Sequence, residues 1–194
     1  MAPSMDADRF ARVEIQAAQE LWDWLAVHHA QRESVWLVTW KAHDTQRYVS
    51  REEVLDALIA HGWIDGRRLK LDDDCTMQLI SPRKQQAWAD SYKRRAARLE
   101  TEGRMHPAGQ AAVVAGQQSG LWHISDPIDG LIDPPDLTAA LIALGGDIWW
   151  HNAAPSYRRN VLRWIGSAKR SETRTLRIST AAALSAKGEK IPNF

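Results

Sequence analysis

Between Ser50 and Pro82 the chain is punctuated closely enough to dictate its local path. Ser50-Arg51-Glu52-Glu53 has the form of a capping box: the serine hydroxyl accepts from the Glu53 amide while the Glu53 carboxylate accepts from the Ser50 amide. Val54, Leu55, Leu58 and Ile59 follow as one apolar face, and Gly62 can take the left-handed conformation that stops a helix. Two short runs come next, Arg67 to Leu71 and Thr76 to Ile80. They are separated by Asp72-Asp73-Asp74, whose carboxylates favour a turn by accepting local amides. The stretch predicts a helix, a junction at Gly62-Trp63-Ile64-Asp65-Gly66, and a β-hairpin.

The flanking sequence extends this into an α+β fold, mainly helical, with a small antiparallel sheet of about three strands. Leu21, Trp24, Leu25 and His28 form a helical stripe, with Trp22 off it. Val35 to Trp40 is β-branched and aromatic on both alternating faces, which predicts a central strand covered on both sides. From Arg83 onward the pattern is helical. Trp88, Tyr92, Ala96 and Leu99 share a face, Pro107 opens an alanine-rich helix, and further helices are expected over 135–144, 147–151, 155–167 and 170–187. The organisation expected is an N-terminal arm over 1–16, an α+β core over 17–118, a packed linker over 119–135 and a C-terminal helical segment of the same domain over 136–194.

Several function classes are disfavoured by composition. A hydrophobic fraction of 44% can fill a core, and a formal net charge of +1 gives no global attraction to nucleic acid. Cys75 is the only cysteine, which excludes an internal disulfide. The histidines lack metal-ligand spacing, and the three adjacent aspartates do not space their side chains as a calcium loop does, so neither a metal nor a cofactor is expected. No stretch approaches the roughly 18 to 20 apolar residues of a membrane span. Met1 to Arg9 carries Asp6 and Asp8 where a signal peptide would be basic, so the cytoplasm is the expected compartment. Oligomeric state is not legible.

Gly62-Trp63-Ile64-Asp65, Ser81-Pro82-Arg83, Trp88, Gly103-Arg104-Met105 with Pro107-Ala108-Gly109, Tyr157-Arg158, Trp164-Ile165, Ala168-Lys169-Arg170 and Glu172-Thr173-Arg174 follow one another in a recognisable order. From about Trp22 to Leu184 the chain resembles the bacterial family described as bacteriocin-protection proteins, or as YdeI or OmpD-associated proteins. The resemblance implies a role in stress or antimicrobial-peptide resistance, an envelope or porin connection, and a periplasmic setting. It brings no catalytic residue set. Where similar proteins tend to have Trp-Ser and then Asn, this chain has Trp88-Ala89 and Tyr92.

Antiparallel pairing would return Arg83 toward Asp65, and these two charges are expected to be neighbours. The candidate ligand-binding residues are Trp63, Asp65, Arg83, Trp88, Arg104 and Arg158: a guanidinium fork holds a carboxylate or phosphate, and an indole offers a flat face. Asp65 also reads as a general acid or base, as a cap for local amides, or as half of a buried salt bridge with Arg83. Arginines crowd 83–104 and 158–177, whereas Asp126, Asp129, Asp133, Asp136 and Asp147 lie between them without basic neighbours in sequence. Surface ion pairs between the acidic loop and the basic helices are one account of that pattern. Three function classes follow in order: a non-enzymatic module binding a small anion or a protein or envelope partner, an enzyme on a small anionic substrate using Asp65, and nucleic-acid binding through the basic helices.

Overall fold

The computed structural model describes residues 9–192 and 194; the first half of the arm expected over 1–16 lies outside them. The chain forms two compact units, residues 1–124 and 125–194, and the division lies within 119–135.

In the first unit the elements run β1 (Arg12–Glu14), α1 (Ala18–His28), β2 (Val35–Trp40), α2 (Arg51–Ala60), β3 (Trp63–Lys70), β4 (Cys75–Pro82), α3 (Asp90–Thr101) and α4 (Pro107–Gln118). The sheet order is β1-β2-β4-β3. The three expected strands pair antiparallel, with β4 between β2 and β3. A fourth, β1, lies parallel to β2, with α1 as the crossover that a parallel pair requires. Its three residues carry one apolar side chain, too little for a periodic signal. The two faces of β2 are covered as its sequence requires. Val35 and Leu37 pack with Leu21, Leu25, Leu58 and Ile80, while Trp36 and Val38 pack with Cys75 and Met77 on the other face.

The local signals act as hydrogen bonds. Glu53 N donates to Ser50 Oγ at 3.2 Å and Ser50 N donates to Glu53 Oε2 at 2.9 Å. Gly62 has φ +74°, and a Cβ there would stand 2.8 Å from the Ala108 carbonyl oxygen, so backbone conformation and the approach of α4 both require glycine. Asp72 Oδ1 accepts from the amides of Asp74 and Cys75 and closes the hairpin turn.

Two boundaries move. β3 begins at Trp63, so Asp65 lies within a strand rather than in a helix-to-strand loop. Residues 83–89 are irregular, and α3 begins only at Asp90 rather than at Arg83, which leaves Trp88 ahead of the helix whose face it was expected to share. A bulge follows Asp65: Asp65 pairs with Ile80 and Arg68 with Gln78, so two residues of β3 oppose one of β4.

The second unit contains α5 (Asp126–Asp129), α6 (Pro135–Leu144), α7 (Asp147–Asn152), α8 (Pro155–Gly166) and α9 (Ser171–Ala186). The last four match the expected helices within one residue at each end. Their core gathers Leu137, Leu141, Trp150, Val161, Ile165, Ile178 and Ala182, with Ile128 and Leu131 packed against it.

Candidate functional site

Two structural choices bring Asp65 and Arg83 into one cluster. The β3/β4 register sets Trp63 opposite Pro82, and Arg83 N donates to Gly62 O at 2.9 Å, holding Arg83 beside the start of β3. Helix α3 then lays Tyr92 against both residues. Asp65 Oδ1 accepts from the Tyr92 hydroxyl, Oδ2 accepts from Gln78 Nε2 at 3.0 Å, and Arg51 Nη2 stands 3.9 Å from Oδ2. The carboxylate is only 10% exposed. Burial and the bond to Asp65 push the Tyr92 phenol up to about 12, so it stays a donor throughout the neutral range.

Among the described residues Arg83 is held without a direct salt bridge. Its Nη1 donates to the carbonyls of Gln86 and Ala87, each at 3.2 Å, and its guanidinium carbon lies 4.0 Å above the Trp88 ring and 5.4 Å from that of Tyr92. Nε and Nη2 are buried and meet no hydrogen-bond partner among the described residues. Burial lowers the guanidinium pKa to about 10, against the opposing fields of Tyr92 and Asp65. Trp88 is itself fixed: its N–H donates to Leu121 O at 3.0 Å, and its indole nitrogen occupies space beside Gly116 that a Cβ would contest at 2.4 Å. Trp122 packs on it at 5.0 Å between ring centroids.

Arg83 thus stacks on Trp88 and faces Tyr92, and Tyr92 in turn bonds Asp65, so the aspartate joins the cluster through the tyrosine. Trp63 does not join them as a wall: it is fully buried in the core, where its Nε1 donates to His29 O at 3.4 Å. Arg104 pairs with Glu102 at 3.3 Å and lies over Trp22. Arg158 belongs to the second unit, where it pairs with Asp133 at 3.1 Å. Sequence reasoning missed Tyr92 and Gln78 as partners of Asp65. A glutamine between Met77 and Leu79 in an apolar strand was the available signal, because a buried amide needs partners.

A second polar cluster lies in the first unit. His106 stacks on His61 at 5.0 Å and meets His29 at 4.6 Å, with Trp22 against His61. His106 Nδ1 accepts from Ala108 N at 3.1 Å and caps α4, so this nitrogen must be unprotonated. Burial lowers the pKa of both His61 and His106, and neighbouring histidines lower each further. The folded chain therefore binds fewer protons here than the unfolded one. Stability is complete above the unfolded value of about 6.5 and declines as pH falls through it. The urea midpoint is expected to drop between pH 7.5 and pH 5. His106→Asn, which keeps a capping acceptor but cannot titrate, should flatten that decline; an unchanged slope would remove His106 from it.

The basic helices are largely paired. In the second unit Arg163 meets Asp129 at 3.1 Å and Arg174 meets Asp136 at 2.8 Å, which joins the acidic segment to α8 and α9. In the first unit the partners come from α2 instead: Arg95 pairs with Glu52 and Asp56, and Arg98 with Asp56. Among the described residues no group of three or more His, Cys, Asp or Glu could hold a metal ion, and no helix is long and apolar enough to cross a membrane.

Two family models match the chain. Residues 13–112 match a domain of unknown function (DUF8412), and residues 131–188 match the model described as Bacteriocin-protection, YdeI or OmpD-Associated. The chain belongs to the family of the first, which spans more than half of it, and carries the bacteriocin-protection, YdeI or OmpD-associated domain in its second unit. The resemblance read along 22–184 therefore divides: the motifs from Gly62 to Gly109 fall in the first match and those from Tyr157 to Arg174 in the second. No curated protein and no solved structure matches the chain.

Proposed function

We propose that the first unit is a non-catalytic recognition module that takes an anionic group of a small molecule or partner into the fork of Arg83, against Trp88. One observation carries this reading: a buried guanidinium whose Nη1 is anchored while Nε and Nη2, the two parallel donors of its side-on fork, have no partner among the described residues. The exposed segment 84–87 lies next to the fork in sequence and supplies the Nη1 acceptors, so entry requires this segment to lift. Both Asp65 oxygens are engaged, which supports an orienting role over acid or base work. The ion pairing of Arg95, Arg98, Arg163 and Arg174 weighs against a nucleic-acid groove. Capture rather than conversion of a molecule is compatible with the bacteriocin-protection description of the second unit. A single buried, free cysteine fits the cytoplasm as the compartment we propose.

Energetics supply the test. Burial works against the charged side chain of Arg83, as its lowered pKa reflects. This is offset by a cation–π contact of about 0.5 to 2 kcal/mol and two hydrogen bonds of about 1 kcal/mol each. Arg83→Met is therefore expected to melt within a few degrees of the unaltered chain and to lose the thermal shift produced by small anions such as acetate, benzoate or phosphate. A loss of about 3 to 5 kcal/mol, the cost of breaking a buried ion pair, would instead assign Arg83 to structure alone.

A further inference from the structure

We infer that the group Arg83 receives is a monocarboxylate carried on a flat, apolar body; this rests on the anion-binding reading above. The shape of the donors comes first. Nε–H and Nη2–H lie side by side in the guanidinium plane, so they address two oxygens in that plane. A carboxylate fills both with its own two coplanar oxygens. A phosphate places its remaining oxygens out of the plane, and Trp88 covers one face of the guanidinium at 4.0 Å. On that side a tetrahedral anion meets the indole ring, whereas a planar one continues the stack.

The charges beside the fork point the same way. Asp65 acts on Arg83 through space, and Arg51 stands 3.9 Å from Asp65. Two cations and one anion leave room for a single negative charge. A dianion would place an excess negative charge beside the Asp65 carboxylate, which is itself nearly enclosed. The surroundings then specify the rest of the ligand. Trp88 is packed on Trp122 and is only 1% exposed, and the Tyr92 hydroxyl is committed to Asp65, so a flat apolar body meets the indole where the exposed segment 84–87 lifts away from the fork.

The test compares benzoate, phenyl phosphate, acetate and benzyl alcohol by titration calorimetry on the full chain, unaltered and as Arg83→Lys. Benzoate is expected to bind at least tenfold tighter than phenyl phosphate or acetate, and benzyl alcohol not to bind. Lysine keeps the charge but removes the fork, so Arg83→Lys should weaken benzoate at least tenfold. Phenyl phosphate binding as tightly as benzoate, with both lost in Arg83→Lys, would overturn the monocarboxylate inference and leave the anion site standing. Binding of neither anion, or benzoate binding indifferent to Arg83→Lys, would overturn both. Should Arg83→Lys fail to fold, the ligand order on the unaltered chain decides the inference, and Trp88→Phe adds a second reading: the preference for benzoate over acetate is expected to shrink, and its full retention would overturn the stacked geometry.

Discussion

Gly109→Ala is expected to destabilise the first unit by about 3 kcal/mol or more, at the upper end of what overpacking costs. Gly109 lies in the first turn of α4, where the helix crosses the end of α2, and a Cβ built there would stand 2.1 Å from the Ala60 carbonyl oxygen and 2.8 Å from that of Ile59. Both obstacles are backbone, and neither can rotate aside. The substitution would gain about 1 kcal/mol of helix propensity, so the clash must win for the fold described here to be right. His106 N donates to Ala60 O at 3.0 Å, so separating the helices also breaks the bond that starts α4. Hydrogen exchange followed by mass spectrometry should show lost protection across α2 and α4. Gly166→Ala, where a Cβ meets nothing within 4 Å, serves as the control and should leave stability unchanged or slightly raised. Equal behaviour of the two variants would contradict the α2–α4 packing.

Asp133→Ala should cost the second unit about 3 to 5 kcal/mol, because it removes one partner of a buried ion pair and leaves the other in place. Asp133 is 8% exposed and accepts from Trp150 Nε1 at 2.9 Å and from Arg158 Nη2 at 3.1 Å. Without it, Trp150 keeps a donor inside an apolar core, and Arg158 retains only the Leu131 carbonyl for Nη2. Arg158 Nε already lacks a partner among the described residues, so no reserve acceptor is at hand. Asp133→Asn retains acceptor oxygen and should lose less. Exchange protection of α7 and α8 would report the loss; two variants as stable as the unaltered chain would show that the pair contributes nothing.

What was legible in the sequence is what short-range chemistry encodes. The capping box at Ser50 and Glu53, the Gly62 stop, the Asp72 turn and the proline-led starts of α4, α6 and α8 each depend on residues a few positions apart, and each stands where expected. Strand β1 was hidden because three residues gain their structure only by joining β2 across α1. The start of β3 was hidden because Trp63 follows Gly62 directly and reads equally as loop or strand.

The candidate site was half visible for the same reason. Register alone carries Arg83 back beside Gly62, and that follows from pairing two runs across a turn. That Tyr92 bonds Asp65 depends on how α3 docks, which no local pattern states. Trp63 and Trp88 are both buried tryptophans next to the two charges in sequence, yet only Trp88 lies under the guanidinium; bulk specifies burial but not direction. Arg104 and Arg158 have their own acidic partners, Glu102 and Asp133, which their positions among other arginines concealed.

Anion capture requires an Arg83 fork that is buried, has no protein hydrogen-bond partner among the described residues and can take an anion. The Nε–H resonance of Arg83, assigned by its loss in Arg83→Met, tests this most directly in a proton–nitrogen correlation spectrum. A slowly exchanging Arg83 Nε–H should be visible without ligand, and titration with benzoate should move it downfield as the hydrogen bond forms, to saturation. An Arg83 Nε–H that stays in place at benzoate concentrations of tens of millimolar would contradict the account.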